Sequence, residues 1–360
     1  MTRAALALLL ALACVLSWAL TGLARRYALA HGVLDHPNER SLHERPTPRI
    51  GGIAIVSVVL AYVLGAGVAG WLEPGLAIGF GGAGLLIAST GWIDDHRGVP
   101  RGVRLALHTL AAGWAVAWAG GMPSLDVGTA EARLGAAGAV LAVLATVWSI
   151  NFYNFMDGAD GVAAGEAVSV GTLAGALLLW PGDSAAADQL AALTLVVAAA
   201  ALGFLFWNWH PARIFMGDTA SGFLGLVFAA LAVASENRDA LPALVWLLLI
   251  GVFFVDATAT LARRIARGER WREAHRRHAY QRLVRAGLGH GRVAGWILGV
   301  NAALGGLAWL AVARPAWLAP IAVGGLLALL ALYAALERAA PWELGASRAP
   351  AAEPHPGELG

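Results

Sequence analysis

Eleven runs of about 17 to 22 apolar residues follow one another along the 360-residue chain, and their length constrains its fold more than any other feature. The hydrocarbon core of a bilayer is ~30 Å thick and holds no water for backbone N–H and C=O groups, so runs of this length are expected to cross it as helices. They lie at 4–24, 51–71, 75–93, 103–120, 134–150, 162–180, 187–207, 219–235, 241–262, 293–313 and 316–336. The expected fold is therefore an all-α, polytopic membrane protein of about eleven transmembrane helices. Residues 1–344 form one membrane-embedded domain on this reading, and 345–360, rich in Ala, Pro and Gly, a disordered cytoplasmic tail. The first run has only Arg3 before it and is too long for a signal peptide, which makes it an uncleaved anchor.

Charge sets the orientation. All 25 basic residues are arginine, and 21 of them fall in the connections that follow odd-numbered runs. The arginine-rich side is cytoplasmic by the positive-inside rule, so the amino terminus faces out and the carboxyl terminus faces in. A net charge of +2 gives no nucleic-acid footprint, and the single Cys14 has no partner for a disulfide or a thiolate metal site.

The connections are unequal. Those on the outer side are short and bland, whereas the long, motif-bearing ones follow runs one, three, five, seven and nine and so share one face. Within the runs, His108, Glu166 and Asp256 all fall in the halves nearest that face, as expected of a pocket open to the cytosol rather than of a path across the membrane.

Each motif has a plain reading beside a chemical one. Asp94 and Asp95, adjacent at the end of the third run, repel unless a cation or proton relieves them, which suits a metal site or a base; for a lone pair, an exposed helix end is the better-supported reading. In "NFYNFMDGADG", Asn151, Asn154, Asp157 and Asp160 recur at three-residue spacing, more polar groups than one helix cap uses. Asp218 in "FMGDTAS" fits an N-cap or a metal ligand equally well. "WREAHRRHAYQRL" sets Trp271, His275, His278 and Arg282 at helical spacing among arginines, a solvated basic surface or a diphosphate grip. Arg40, His43, Arg45 and Arg49 in the first connection offer the same choice.

Taken in order, "DHPNERSLHERPTPRIGG", "GWIDDHRG", "NFYNFMDGADGVAAG", "NWHPARIFMGDTASGFLG" and "HRRHAYQRL" resemble the polyprenyl-phosphate N-acetylhexosamine-1-phosphate transferase superfamily, glycosyltransferase family 4, which includes the peptidoglycan translocase. The fourth and fifth look closest to bacterial enzymes that initiate O-antigen-type polysaccharides. The resemblance implies transfer of an N-acetylated sugar-1-phosphate from a UDP-sugar to undecaprenyl phosphate in the bacterial inner membrane, with release of UMP. It implies Mg²⁺ as cofactor, with Mn²⁺ as a substitute. By motif position, Asp218 becomes a magnesium ligand, Asp94 the base or phosphate-activating carboxylate and Asp95 its partner, all three in the metal and catalytic set. Asn154, Asp157 and Asp160 shape the nucleotide pocket, and Arg45, Arg49, His275, His278 and Arg282 bind substrate.

The chain departs from that pattern where relatives carry "HLHHRL": Tyr280 and Gln281 replace histidines, and Ala220 stands where glycine is common. Two rivals remain, a peptidoglycan-type phospho-N-acetylmuramoyl-pentapeptide translocase and a lipid-linked sugar transporter. The sequence leaves open the sugar, the choice between direct attack and a phospho-enzyme, and whether the protein is a homodimer.

Overall fold

In a computed structural model of the protein, every one of the eleven apolar runs is helical. The structure describes residues 2–37, 42–43, 45–180, 184–270 and 275–345. Arg40, Trp271 and the tail from 346 lie outside the described residues.

The helices are α1 (Arg3–His31), α2 (Ile53–Val68), α3 (Pro74–Arg97), α4 (Arg101–Ala119), α5 (Ala136–Phe155), α6 (Val162–Leu178), α7 (Ala185–Asn208) and α8 (Asp218–Glu236). They continue with α9 (Ala243–Leu249), α10 (Gly251–Ala266), the short α11 (Ala279–Leu283), α12 (His290–Ala313) and α13 (Leu318–Ala339). Two antiparallel two-stranded ribbons, β1 (Leu34–Asp35) with β2 (Thr47–Pro48) and β3 (Ser124–Asp126) with β4 (Glu131–Arg133), and short helical turns at Val284–Leu288, Pro315–Trp317 and Trp342–Gly345 complete the described elements.

Length and hydropathy of the helices do not by themselves confirm all eleven spans. Among the described residues, seven helices are long and apolar enough to cross a membrane, with α9 and α10 an eighth if that bent pair is one span. The ninth run breaks at Ile250–Gly251 and turns by 75°. Glycine there leaves room for Leu329, whose Cδ1 would lie 2.8 Å from an added Cβ, so helix geometry yields to packing against α13. The runs at α2 and α6 are helices of only 16 and 17 residues, and α4 is not among the seven.

Packing follows from small residues. Lipid supplies little hydrophobic drive between helices, so they associate where backbones can approach. Gly171 and Gly175, one turn apart on α6, seat Ala198 and Leu195 of α7. In α8, 83% of the apolar stretch is buried, against 17% in α1, which puts α8 at the centre and α1 at the rim. Helices α3 and α5 pack on the two sides of α8, and their ends carry the acidic motifs.

Candidate active site

The end of α3 lies directly on the start of α8. A Cβ on Gly91 would collide with the carbonyl of Asp218 and stand 2.6 Å from the Thr219 nitrogen, so only glycine permits this approach. It brings Asp95 under the first turn of α8. Asp95 Oδ1 accepts the Asp218 N–H at 3.1 Å, and Oδ2 accepts the Thr219 N–H at 3.1 Å and its hydroxyl at 2.9 Å. The helix is thus capped by a carboxylate from another helix, because Gly217 at its N-cap has no side chain to do so. Asp218 is released from capping. Its Oδ1 accepts from Asn154 Nδ2 at 2.8 Å, and the same amide reaches Ser221 Oγ at 2.9 Å.

Asp94 faces the other way. Its Oδ1 accepts the Val99 N–H at 2.6 Å and its Oδ2 the Arg104 guanidinium at 2.6 Å, while that guanidinium stands 4.0 Å from Asp218 Oδ2. His108, one turn beyond Arg104 along α4, lines a small cavity with Asp94, Arg104, Asn154 and Asp218.

A larger cavity of about 290 Å³ adjoins it, lined by Asp95, Asp157, Asp160 and Asp218 together with His43, Arg49, Gln281 and His290. Its walls come from the first, third, fifth, seventh and ninth connections, the five that the sequence set on one face. The first connection is pinned there by backbone bonds, from the Gly51 and Gly52 N–H groups to the Phe215 and Met216 carbonyls, 2.9 Å each.

Electrostatics separates the two aspartates of "MDGADG". Burial and the neighbouring charges of Asp218 and Asp95 push the Asp157 carboxyl well above its ordinary range. Burial also opposes the charge of Asp160, but hydrogen bonds from His290 and His210 and from the Ala212 N–H outweigh it and hold its pKa at about 2. Asp160, His210 and His290 bring ligand atoms within 4.8 Å of one another. Mutual contacts account for this trio: Asp160 Oδ2 pairs with His210 Nδ1 at 2.7 Å, and His290 Nδ1 stands 3.4 Å from Asp160 Oδ1. Asp95, Asp157 and Asp218 line the larger cavity together, Asp95 with both oxygens also accepting from the start of α8 and Asp218 with one accepting from Asn154. Oxygen donors of this kind fit a hard divalent cation such as Mg²⁺.

The chain is similar along most of its length to proteins named as sugar-phosphate transferases. It is 32% identical over 311 residues to the decaprenyl-phosphate N-acetylglucosaminephosphotransferase of Mycobacterium tuberculosis, covering 78% of this chain and 76% of the relative. The family model described as glycosyl transferase family 4 matches residues 77–236, from α3 through α8. The chain belongs to glycosyl transferase family 4. Like others of the family, it is an enzyme, a sugar-1-phosphate transferase. It is also 31% identical over 275 residues to a probable undecaprenyl-phosphate N-acetylglucosaminyl 1-phosphate transferase of Bacillus subtilis, covering 75% of each chain. With the phospho-N-acetylmuramoyl-pentapeptide-transferase of Thermosynechococcus vestitus it shares 33% identity over 273 residues, 70% of this chain and 68% of the relative.

In this family 4 enzyme the expected site residues divide into two groups. Asp94, Asp95, Asn154, Asp157, Asp160, Asp218 and Arg49 meet at the two cavities. Arg45, His275, His278 and Arg282 line neither. Arg45 is exposed, His278 is buried 3.5 Å from Asp256 and stacked on Phe155, and the wholly buried Arg282 binds Glu337 at 2.8 Å. Sequence reasoning missed Arg104, His210 and His290. Arg104 counted only as a loop charge, ten residues from Asp94, and no local pattern marks the two histidines. Of the ionisable residues within the runs, His108 reaches the site. Asp256 instead caps α11, accepting the Ala279 and Tyr280 N–H groups at 2.8 and 3.1 Å, and Glu166 pairs with Asn301 at 2.6 Å.

Proposed function

We propose that the enzyme transfers an N-acetylated sugar-1-phosphate from a UDP-sugar to undecaprenyl phosphate, and so initiates O-antigen or a related cell-envelope polysaccharide. The observation that carries this reading is the meeting of acidic turns from α3, α5–α6 and α7–α8 around one cavity at the ends of membrane helices. A lipid phosphate reaches only the membrane surface and a nucleotide sugar arrives from the cytosol, so a pocket at helix ends suits both. On this reading the protein sits in the bacterial inner membrane with its amino terminus in the periplasm and its carboxyl terminus in the cytoplasm.

An oxygen of the lipid phosphate attacks the sugar-bearing phosphorus of the diphosphate. The bond from that phosphorus to the bridging oxygen breaks, the bridging oxygen leaves with UMP, and a new diphosphate joins lipid and sugar. Mg²⁺, or Mn²⁺ in its place, would supply charge neutralisation on the diphosphate when bound, and Asp218, Asp95 and Asp157 would hold it. Asn154 orients Asp218. Arg104, held by Asp94 and 34% exposed at its side chain, presents its remaining donors to the acceptor phosphate. A phosphate that draws Arg104 away leaves the Asp94 carboxylate free to take a proton from the attacking oxygen. Asp160 shapes the nucleotide end of the pocket, and Arg49 offers the diphosphate a cation.

The test gives purified enzyme a panel of UDP-sugars with undecaprenyl phosphate, with and without Mg²⁺, and measures UMP. Release that requires both lipid and Mg²⁺ is expected with a UDP-N-acetylhexosamine. Preference for UDP-N-acetylmuramoyl-pentapeptide would assign the enzyme to peptidoglycan instead. Asp218→Asn should lower turnover by about 10³-fold through lost metal, and full turnover in that variant would refute the assignment.

A further inference from the structure

The polar cavity is walled on one side by α11, and α11 is held from behind by the turn Trp342–Gly345 that follows α13. Trp342 is only 1% exposed. Among the described residues, four guanidinium groups surround its ring, with centroid distances of 4.3 Å to Arg263, 5.0 Å to Arg277, 5.3 Å to Arg267 and 5.7 Å to Arg282. Its Nε1–H donates to Glu269 at 3.2 Å and its backbone N–H to Glu337 at 2.8 Å.

Glu337 ties the cluster together. It accepts two bonds from Arg263, at 2.6 and 3.0 Å, and one from Arg282 at 2.8 Å. Arg282 also donates to the carbonyls of Arg277 and Ala340. Gly345 closes the turn against the other strand of this loop, where an added Cβ would stand 2.7 Å from the Arg276 carbonyl oxygen. A single ring among cations contributes little on an open surface, but here it fills a desolvated space between like charges that would otherwise repel. These contacts join the turn, the end of α10 and residues 275–283 to one another.

The opposite face of α11 looks toward the aspartates. Tyr280 Oη donates to the Phe155 carbonyl at 3.0 Å and fills the place a Cβ on Gly158 would take, beside Asp157. Gln281 lines the cavity, and its Oε1 is buried with no hydrogen-bond partner. A buried amide oxygen left unpaired costs free energy, so the position is suited to a donor group brought by a ligand.

We propose that Trp342 is a positioning residue that holds α11 so that Gln281 presents its amide to a hydroxyl or N–H group of the sugar nucleotide. This rests on the sugar-1-phosphate transfer assigned above. Nothing in the local sequence joins the two residues, which are 61 positions apart.

The test measures donor KM and kcat for Trp342→Ala, Trp342→Phe, Gln281→Ala and the Trp342→Ala/Gln281→Ala pair, with hydrogen exchange of the full-length enzyme in detergent. Trp342→Ala should raise donor KM about tenfold, with kcat changed less than about twofold, and Trp342→Phe should restore most of the affinity. The double variant should be no worse than Gln281→Ala, and amide exchange in Trp342→Ala should rise in residues 279–283 and 156–158. Additive KM effects, or unchanged exchange in those segments, would overturn the proposal. If Trp342→Ala does not fold, Glu337→Gln, which keeps the ring, should show the same pattern at about threefold, and an unchanged KM there would likewise overturn it. A wild-type enzyme that releases no UMP while Trp342→Ala still loosens 279–283 would sink the transfer reading and leave the latch standing.

Discussion

Two aspartates three residues apart, Asp157 and Asp160, carry the same side chain into opposite electrostatic settings. The histidine pair around Asp160 depresses its pKa to about 2, below the ~4 of an unfolded aspartate. A folded state that binds the proton less readily than the unfolded one gains stability above the unfolded value and loses it as pH falls through the folded one. Thermal unfolding in detergent should therefore show a drop in midpoint between about pH 4 and 2 that is shallower in Asp160→Asn; matching limbs would remove the histidines' role. Asp94 offers a second residue-scale prediction. Because its partners are Val99 and Arg104 rather than the larger cavity, Asp94→Asn should leave UMP binding intact and lower turnover by about 10²-fold, and equilibrium binding of UMP checks the first half of that statement. The aspartates themselves were legible from spacing and pattern. Their division of labour was not, because it depends on Arg104, His210 and His290, which reach them across the fold.

At the scale of elements, the site is set by how closely α3 and α8 approach. Gly91→Ala would force the two apart at the carbonyl of Asp218, and a misplacement near 1 Å at reacting groups costs about 10²-fold in rate. The expected result is that loss with unchanged helical circular dichroism, whereas Gly102→Ala, with nothing within 4 Å of its added Cβ, should keep full rate. Each apolar run announced its helix because length and hydropathy are local properties. The bend between α9 and α10 escaped notice since an unbroken apolar run reads as one helix, and the break arises from packing of Gly251 against Leu329. The basic segment at 275–283 was legible as important but not in its contacts. Its arginines and histidines mostly face Glu337, Glu269, Asp256 and Trp342, leaving Gln281 at the cavity.

For the whole molecule, the central expectation is sidedness. Cys14 is the sole cysteine, so a Cys14→Ala background permits labelling of single introduced cysteines. His36→Cys, Arg97→Cys and Arg213→Cys should react with an impermeant reagent from one side of sealed vesicles, and Arg133→Cys and Arg314→Cys from the other; any mixture within the first three would break the shared pocket. Taken alone, the sequence determined a helical membrane protein and which of its connections are polar and which apolar. Those properties follow from the free energy of placing each residue type in lipid or water, a sum that needs no knowledge of neighbours. Only the tertiary structure decided that Asp95 caps α8 so that Asp218 is free, that Arg104 holds Asp94, and that Trp342 stands behind α11. These are relations between residues far apart in the chain, and they exist only where close packing brings charged and polar groups into a shared low-dielectric space.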